Sequence, residues 1–355
     1  VNLSGRVSLK FVLTRLAWGV PVLLAVIVTS FFVLRAAPGG PFDREKPLPP
    51  RILKNLRAQY DLDRPVLPVW TPAEAGTPRA EELARFAAEY PVATAGPVAL
   101  TTSVSGALST QLPAYVLQVA SGDLGVSMKY TDETVNGIVA RTFPVSATLG
   151  LAAFLLAYAV GVGLGLLAAA RRGTWVDSAS VVVATLGLSA PNFVLGALLI
   201  LVFSLWLGWL PPALWEGPAY VILPTVTLAA GPAAYIARLT RSGALEAMGE
   251  EYIRTARSKG LTERAVIWRH AFVNALGPLI TVSGPLLATL VTGSFIVEHV
   301  FALPGMGRYF ITAVIDRDYP MVLGVTVVYA ALIVLANIAV DVLYALADPR
   351  VEDAR

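Results

Sequence analysis

The 355-residue chain has no cysteine, only two histidines and few charges, and each shortage closes off a kind of chemistry. Without Cys there is no disulfide, no Cys-based zinc site, no iron–sulfur ligation and no thiol nucleophile. His270 and His299 cannot build a multi-histidine metal centre, and no metal site is expected. They flank one apolar helical stretch, so at about 1.5 Å of rise per residue they stand roughly 40 Å apart, which also separates them as a proton relay. No Gly-x-x-x-x-Gly-Lys-Ser/Thr phosphate loop occurs, and none of the five lysines follows a glycine. The chain itself is therefore not expected to hydrolyse ATP. Charged residues make up 14%, against roughly 25% in soluble domains. What fills the chain instead is 56% hydrophobic residue, punctuated by 29 Gly and 25 Pro. A net charge of +3 is too small to signal a nucleic-acid partner, so the positions of the charges matter more than their sum.

A bilayer core about 30 Å thick takes roughly 20 apolar residues as a helix. Six stretches meet this: 16–34, 145–170, 179–207, 220–237, 276–297 and 321–346. The expected fold is an all-α polytopic membrane protein with six transmembrane helices. Lys and Arg in the short connections set the orientation. One parity holds fourteen: Arg6, Lys10, Arg15, Arg171, Arg172, Arg238, Arg241, Arg254, Arg257, Lys259, Arg264, Arg269, Arg350 and Arg355. The other holds Arg308 and Arg317. Both termini are thus placed in the cytoplasm, and a large extracytoplasmic region lies between the first two helices.

The chain then divides into 1–37, a cytoplasmic N-terminus with the first span; 38–143, the extracytoplasmic region; 144–347, the core of five further spans, with a cytoplasmic loop at 238–275; and 348–355, a cytoplasmic tail. In the outer region, 52–60 and 80–90 read as short amphipathic helices between Pro-rich loops. A rival span at 92–120 would strand the seven-cation loop outside, and Gly96-Pro97, Gly106 and Pro113 interrupt it. A cleaved signal peptide ending at Ala36-Ala37 is the other rival; its apolar run exceeds the 7–15 residues of such a segment. A retained first helix is preferred.

The stretch Glu250 to Pro278 reads as two short helices around a glycine. Good helix formers fill 251–258, and Gly260 can take the left-handed conformation that ends such a helix. Thr262 can cap the next helix, with Glu263 in its first turn, where the helix dipole favours an anion. Leu261 and Val266 have the spacing of a hydrophobic staple. The expected product is a compact, cation-rich elbow.

These residues resemble the cytoplasmic loop of the inner-membrane permease subunits of binding-protein-dependent ABC importers, in the dipeptide/oligopeptide/nickel branch. The general pattern, Glu-Ala-Ala followed three residues later by Gly, falls on Arg254-Thr255-Ala256 and Gly260, so Arg and Thr replace Glu and the first Ala. The stretch Tyr252 to Leu261, followed by Arg269-His270-Ala271 and Asn274-Ala275, looks like the branch's own version. Leu34 to Gly39, Leu62-Asp63-Arg64-Pro65, Gly122-Asp123-Leu124-Gly125-x-Ser127, Leu188 to Phe193, Phe301-x-x-Pro304-Gly305-Met306-Gly307-Arg308 and Arg317-Asp318-Tyr319-Pro320 are similar to it in the same order. Residues near 70–115 depart and look like an insertion. The resemblance implies a multi-pass inner-membrane permease that forms half of a pathway for di- or oligopeptides, or for a nickel chelate or oligosaccharide. It also implies a second homologous permease, one or two ATP-binding subunits that carry the ATP-Mg, and an extracytoplasmic solute-binding protein. No cofactor is expected in this chain. Glu251, Arg254, Thr255, Ala256, Gly260 and Leu261 fall at or near the contact through which ATPase closure enters the membrane.

Other candidates carry less chemistry. Ser189, in Gly187-x-Ser189, sits mid-span with neither histidine at its depth, so a nucleophile lacks its base. The kinked third and fifth helices, at Pro191 and at Gly284-Pro285, are the expected pathway lining, because broken helices expose backbone polar groups. Asp341 is expected to pair with a loop arginine, and Glu298 to line an outer gate or form a rim salt bridge. A proton-coupled secondary transporter would need a more central ionisable group than the spans provide.

Overall fold

The structure, a computed structural model, describes residues 9–37, 41–42, 50–60, 62–64, 66, 110–130, 132–291 and 295–347. The helix expected at 80–90, the 70–109 part of the expected insertion and the tail at 348–355 lie outside the described residues. Among those described, the only strand-like pairing is an isolated antiparallel bridge between Val126 and Thr134. The rest is built on helices: α1 (Leu9–Ala36), α2 (Pro50–Gln59), α3 (Gln111–Ala120), α4 (Val135–Ala170), α5 (Trp175–Ser189), α6 (Asn192–Leu199), α7 (Pro218–Met248), α8 (Glu251–Ser258), α9 (Glu263–Val266), α10 (Phe272–Val291), α11 (Phe295–Val300), α12 (Met306–Asp316) and α13 (Tyr319–Ala347). Two π-helical stretches, Ile200–Trp206 and Ile267–Ala271, follow α6 and α9.

Five stretches are long and apolar enough to cross a bilayer: Val12–Ala36, Val135–Ala170, Pro218–Met248, Ala275–Val300 and Tyr319–Val342. A bent pair of helices makes up to six. Trp175–Ser189 and Asn192–Trp206 meet at 107° across Ala190-Pro191. The residue before a proline is driven from the helical region, and Ala190 is extended at ψ 123°. The kink expected at Pro191 is therefore a sharp corner.

The helix does not break at the other expected site. It runs unbroken through Gly284 and Pro285. Gly284 is buried, and a Cβ there would lie 2.5 Å from Val340 Cγ2, so this glycine admits the last span rather than opening backbone to a cavity. The sequence expectation of a helix break at Gly284-Pro285 is corrected on that ground.

The chain forms two compact units. The first comprises Val1–Gly19, Ala140–Ile311 and Ala331–Arg355. Its core gathers Leu149, Ala153 and Ala157 of α4, Leu228, Ala233 and Ile236 of α7, Leu279 and Leu290 of α10, and Phe301. Close approach of α4 to α7 requires Gly161 and Gly165, where a Cβ would sit 2.7 Å from Ala233 O and 2.5 Å from Ala237 O. Small residues four apart are how membrane helices approach without a hydrophobic drive between them. Arg15 pairs with Asp341 at 3.1 Å, so the partner of Asp341 lies on the first helix rather than in a loop.

The second unit comprises Val20–Val139 and Thr312–Ala330. Phe31, Leu112 and Leu323 form its apolar cluster. Its polar centre is Asp318, 1% exposed, just before α13. This carboxylate accepts from the Ser127 hydroxyl, from Met128 N at 3.0 Å, Lys129 N at 3.3 Å and Met321 N at 3.3 Å. One buried anion thus ties the 122–130 loop to a helix N-terminus, where the dipole favours negative charge.

Candidate functional site

The elbow between α7 and α10 is assembled by local rules. Helix α8 ends in a Schellman arrangement: Leu261 N donates to Ala256 O at 3.3 Å and Gly260 N to Arg257 O at 2.9 Å. Gly260 carries the left-handed φ of +81° that this closure needs. The Thr262 side chain then accepts from Ala265 N, 3.4 Å away, and caps α9. Ile253, Ala256 and Val266 are buried together with Leu261 against them, so the staple spacing is realised as contact. Outside, Arg257 forks onto Glu263 at 2.7 and 3.2 Å, joining the two short helices. That hydrogen bonding raises the guanidinium above its ordinary value.

This packing sorts the sequence-selected residues by availability. Glu251, Arg254 and Thr255 are exposed on one face of α8, and Gly260 is exposed at its end. Leu261 is half-buried, and Ala256 is 6% exposed against the elbow's own core. The small Ala256 side chain thus lets α9 approach within the elbow. Arg254, Lys259 and Arg264 make no ion pair among the described residues. Tyr252, 42% exposed, stands beside His270 with ring centroids 6.3 Å apart. It was missed as a surface candidate, although an aromatic on the polar face of an amphipathic helix was a usable signal.

The elbow is mounted on the spans. Ala271 packs with Leu166 and Ala169 of α4 and with Ala244 and Ala247 of α7. A bidentate ion pair braces the same end: Arg241 donates from Nε and Nη2 to Asp177 at 2.7 and 2.9 Å, and Gly173 N donates to Asp177 at 3.0 Å. Sequence counted Arg241 as a loop cation and passed over Asp177, because their separation of 64 positions leaves no local signature.

Glu298 is neither a gate residue nor in a rim salt bridge. It is fully buried; its Oε2 accepts from Gly307 N at 2.7 Å and Arg308 N at 3.3 Å, capping α12. Ser146 hydrogen-bonds it and takes Met306 N at 2.8 Å. Gly305 is required by its approach, since a Cβ would lie 2.3 Å from Oε2.

Apolar helices long enough to cross a bilayer, with a cation-rich elbow between two of them, define a polytopic α-helical membrane protein. Residues 161–353 match the family described as binding-protein-dependent transport system inner membrane component. The chain is 40% identical to the oligopeptide transport system permease protein OppB of Salmonella typhimurium, over 97% of this chain and 99% of that one. It is 38% identical to the dipeptide transport system permease protein DppB of Bacillus subtilis, over 94% and 96%. Among solved structures, an inward-facing form of the MetNI methionine ABC transporter covers 58% of this chain and 94% of its own at 20% identity and a TM-score of 0.50, a likeness of fold alone. The chain belongs to the family of binding-protein-dependent transport system inner membrane components, as a multi-pass permease subunit of the ABC importer class. Its relatives are permease subunits rather than ATPases.

Proposed function

We propose that this permease forms half of the pathway for ATP-driven uptake of di- or oligopeptides, and that the elbow is where ATPase closure enters the membrane. The peptide reading rests on near full-length similarity to relatives named for oligopeptide and dipeptide transport. The coupling reading is carried by one observation: α8 offers Glu251, Tyr252, Arg254, Thr255 and Lys259 to solvent while Ile253, Ala256 and Val266 lock it to the spans through α9. A helix so held passes a push on its outer face into α7 and α10 instead of absorbing it.

Fourteen cations against two support cytoplasmic termini, a cytoplasmic elbow at 238–275, an extracytoplasmic 38–143 and a core at 144–347. The assembly comprises a second homologous permease, one or two ATP-binding subunits holding ATP-Mg, and an extracytoplasmic peptide-binding protein. Pro191, at the corner of the broken span, remains the candidate for pathway lining.

The test is reconstitution of the permease pair with ATPase subunits and binding protein in proteoliposomes. Peptide uptake should require ATP, and Arg254→Glu should reduce co-purification of the ATPase while leaving insertion unchanged. Uptake driven by an ion gradient without ATP would overturn the importer reading. Undiminished ATPase retention in Arg254→Glu and in a double Arg254→Glu, Lys259→Glu variant would remove α8 as the contact.

A further inference from the structure

In the second unit a cavity of about 320 Å³ opens beside the end of α1. Arg35, Gln111, Tyr115 and Gln118 are among its polar lining residues, and Phe31 and Leu323 among its apolar ones. Arg35 is the penultimate residue of the apolar span Val12–Ala36, which sets it at headgroup depth. Its guanidinium lies 4.6 Å over the Phe31 ring, which occupies one face. Among the described residues no carboxylate pairs with it. A half-buried guanidinium without an anion is costly, and planar forks of this kind match phosphate.

Two further groups in the wall are unsatisfied among the described residues: the Tyr115 hydroxyl and Gln111 Oε1 are buried without a hydrogen-bond partner there. Gln111 is 6% exposed, and its Nε2 is already spent on Leu62 O and Arg64 O. Burial pushes the Tyr115 phenol up, so it remains a neutral hydroxyl. The wall thus holds a cation, a hydroxyl and an acceptor in want of a donor, together with apolar residues. That combination suits a headgroup with an anionic phosphate and hydroxyl donors.

We propose that this cavity is a binding site for the headgroup of an anionic phospholipid, with Arg35 as the phosphate anchor. The proposal rests on α1 spanning the bilayer and not on the role of the elbow.

The test uses the assembled transporter in nanodiscs of phosphatidylcholine with a minor fraction of phosphatidylglycerol, released into native mass spectrometry. The wild type should retain phosphatidylglycerol, and Arg35→Gln should retain about tenfold less. Ala114→Phe, which fills the cavity without removing charge, should lose it likewise and carries the test if Arg35→Gln fails to assemble. Equal retention in wild type and variants overturns the site. In a second arm, glycerol 1-phosphate is titrated into transporter in phosphatidylcholine alone; saturation by this soluble ester, with no phosphatidylglycerol retained in the first arm, overturns the lipid source. Peptide-stimulated ATP hydrolysis is read on the same preparations: its absence in the wild type would count against the proposed function, while the lipid count is still read.

Discussion

Gly260 tests the elbow most directly, because its substitution changes conformation without creating a clash. Its φ is +81°, and an added Cβ would meet no atom within 4 Å. Any penalty is therefore backbone strain, about 1–2 kcal/mol for an L-residue in the left-handed region. Asn tolerates that region best among non-glycines, Ala pays the ordinary penalty, and β-branched Val is the worst placed. The elbow closes on a small apolar cluster of Ile253, Ala256, Val266 and Leu261, with the Thr262 cap and the Arg257–Glu263 pair beside it. Each 1.4 kcal/mol or so is tenfold in an equilibrium constant. Gly260→Val should thus lower the ratio of closed to open elbow about tenfold or more, while Gly260→Ala lowers it less and Gly260→Asn stays near wild type. The assay is peptide uptake per ATP hydrolysed in proteoliposomes, with insertion checked by protease protection. Uptake should fall in the order Asn, Ala, Val, with unchanged insertion. Full transport by Gly260→Val would refute the role of the left-handed closure. Asn failing as badly as Val would instead show that bulk on an open surface is what matters.

Glu298→Ala should destabilise the permease by roughly 3 kcal/mol, through two backbone donors of α12 left without their charged acceptor, whereas Glu298→Gln should retain most stability; thermal unfolding in detergent decides. Asp318→Ala removes the shared acceptor of Ser127, Met128, Lys129 and Met321, and should cost on the order of 3 kcal/mol and speed proteolysis of the 122–130 loop. Asp177→Ala should lower the unfolding midpoint more than Asp177→Ala with Arg241→Leu, since the single change strands a guanidinium; equal midpoints would show that the stranded guanidinium carries no cost. Gly165→Leu should block folding, because its side chain would enter the α7 backbone at Ala237; normal yield would contradict the close approach.

The apolar spans, the corner at Pro191 and the elbow were legible because each is local. Span length follows from bilayer thickness, and capping chemistry acts within five residues, so Gly260, Leu261, Thr262 and Val266 announce their arrangement in order. Pro285 misled because a proline removes one hydrogen bond wherever it falls, but a helix clamped by neighbours can keep its course. Packing alone showed that the small Ala256 side chain faces the elbow's own core.

By itself, the sequence determined that this is a multi-spanning helical membrane protein, and that seven of its 27 cations gather in one loop. Tertiary structure decided the partners of its charges: Asp177 with Arg241, Asp318 with a loop some 190 positions away, Glu298 with the start of α12, and Arg35 with the Phe31 ring. The reason is physical. Helix formation and membrane insertion read composition over short windows, whereas a buried charge is stable only beside a particular opposite charge or donor, and which one it meets depends on how distant helices pack.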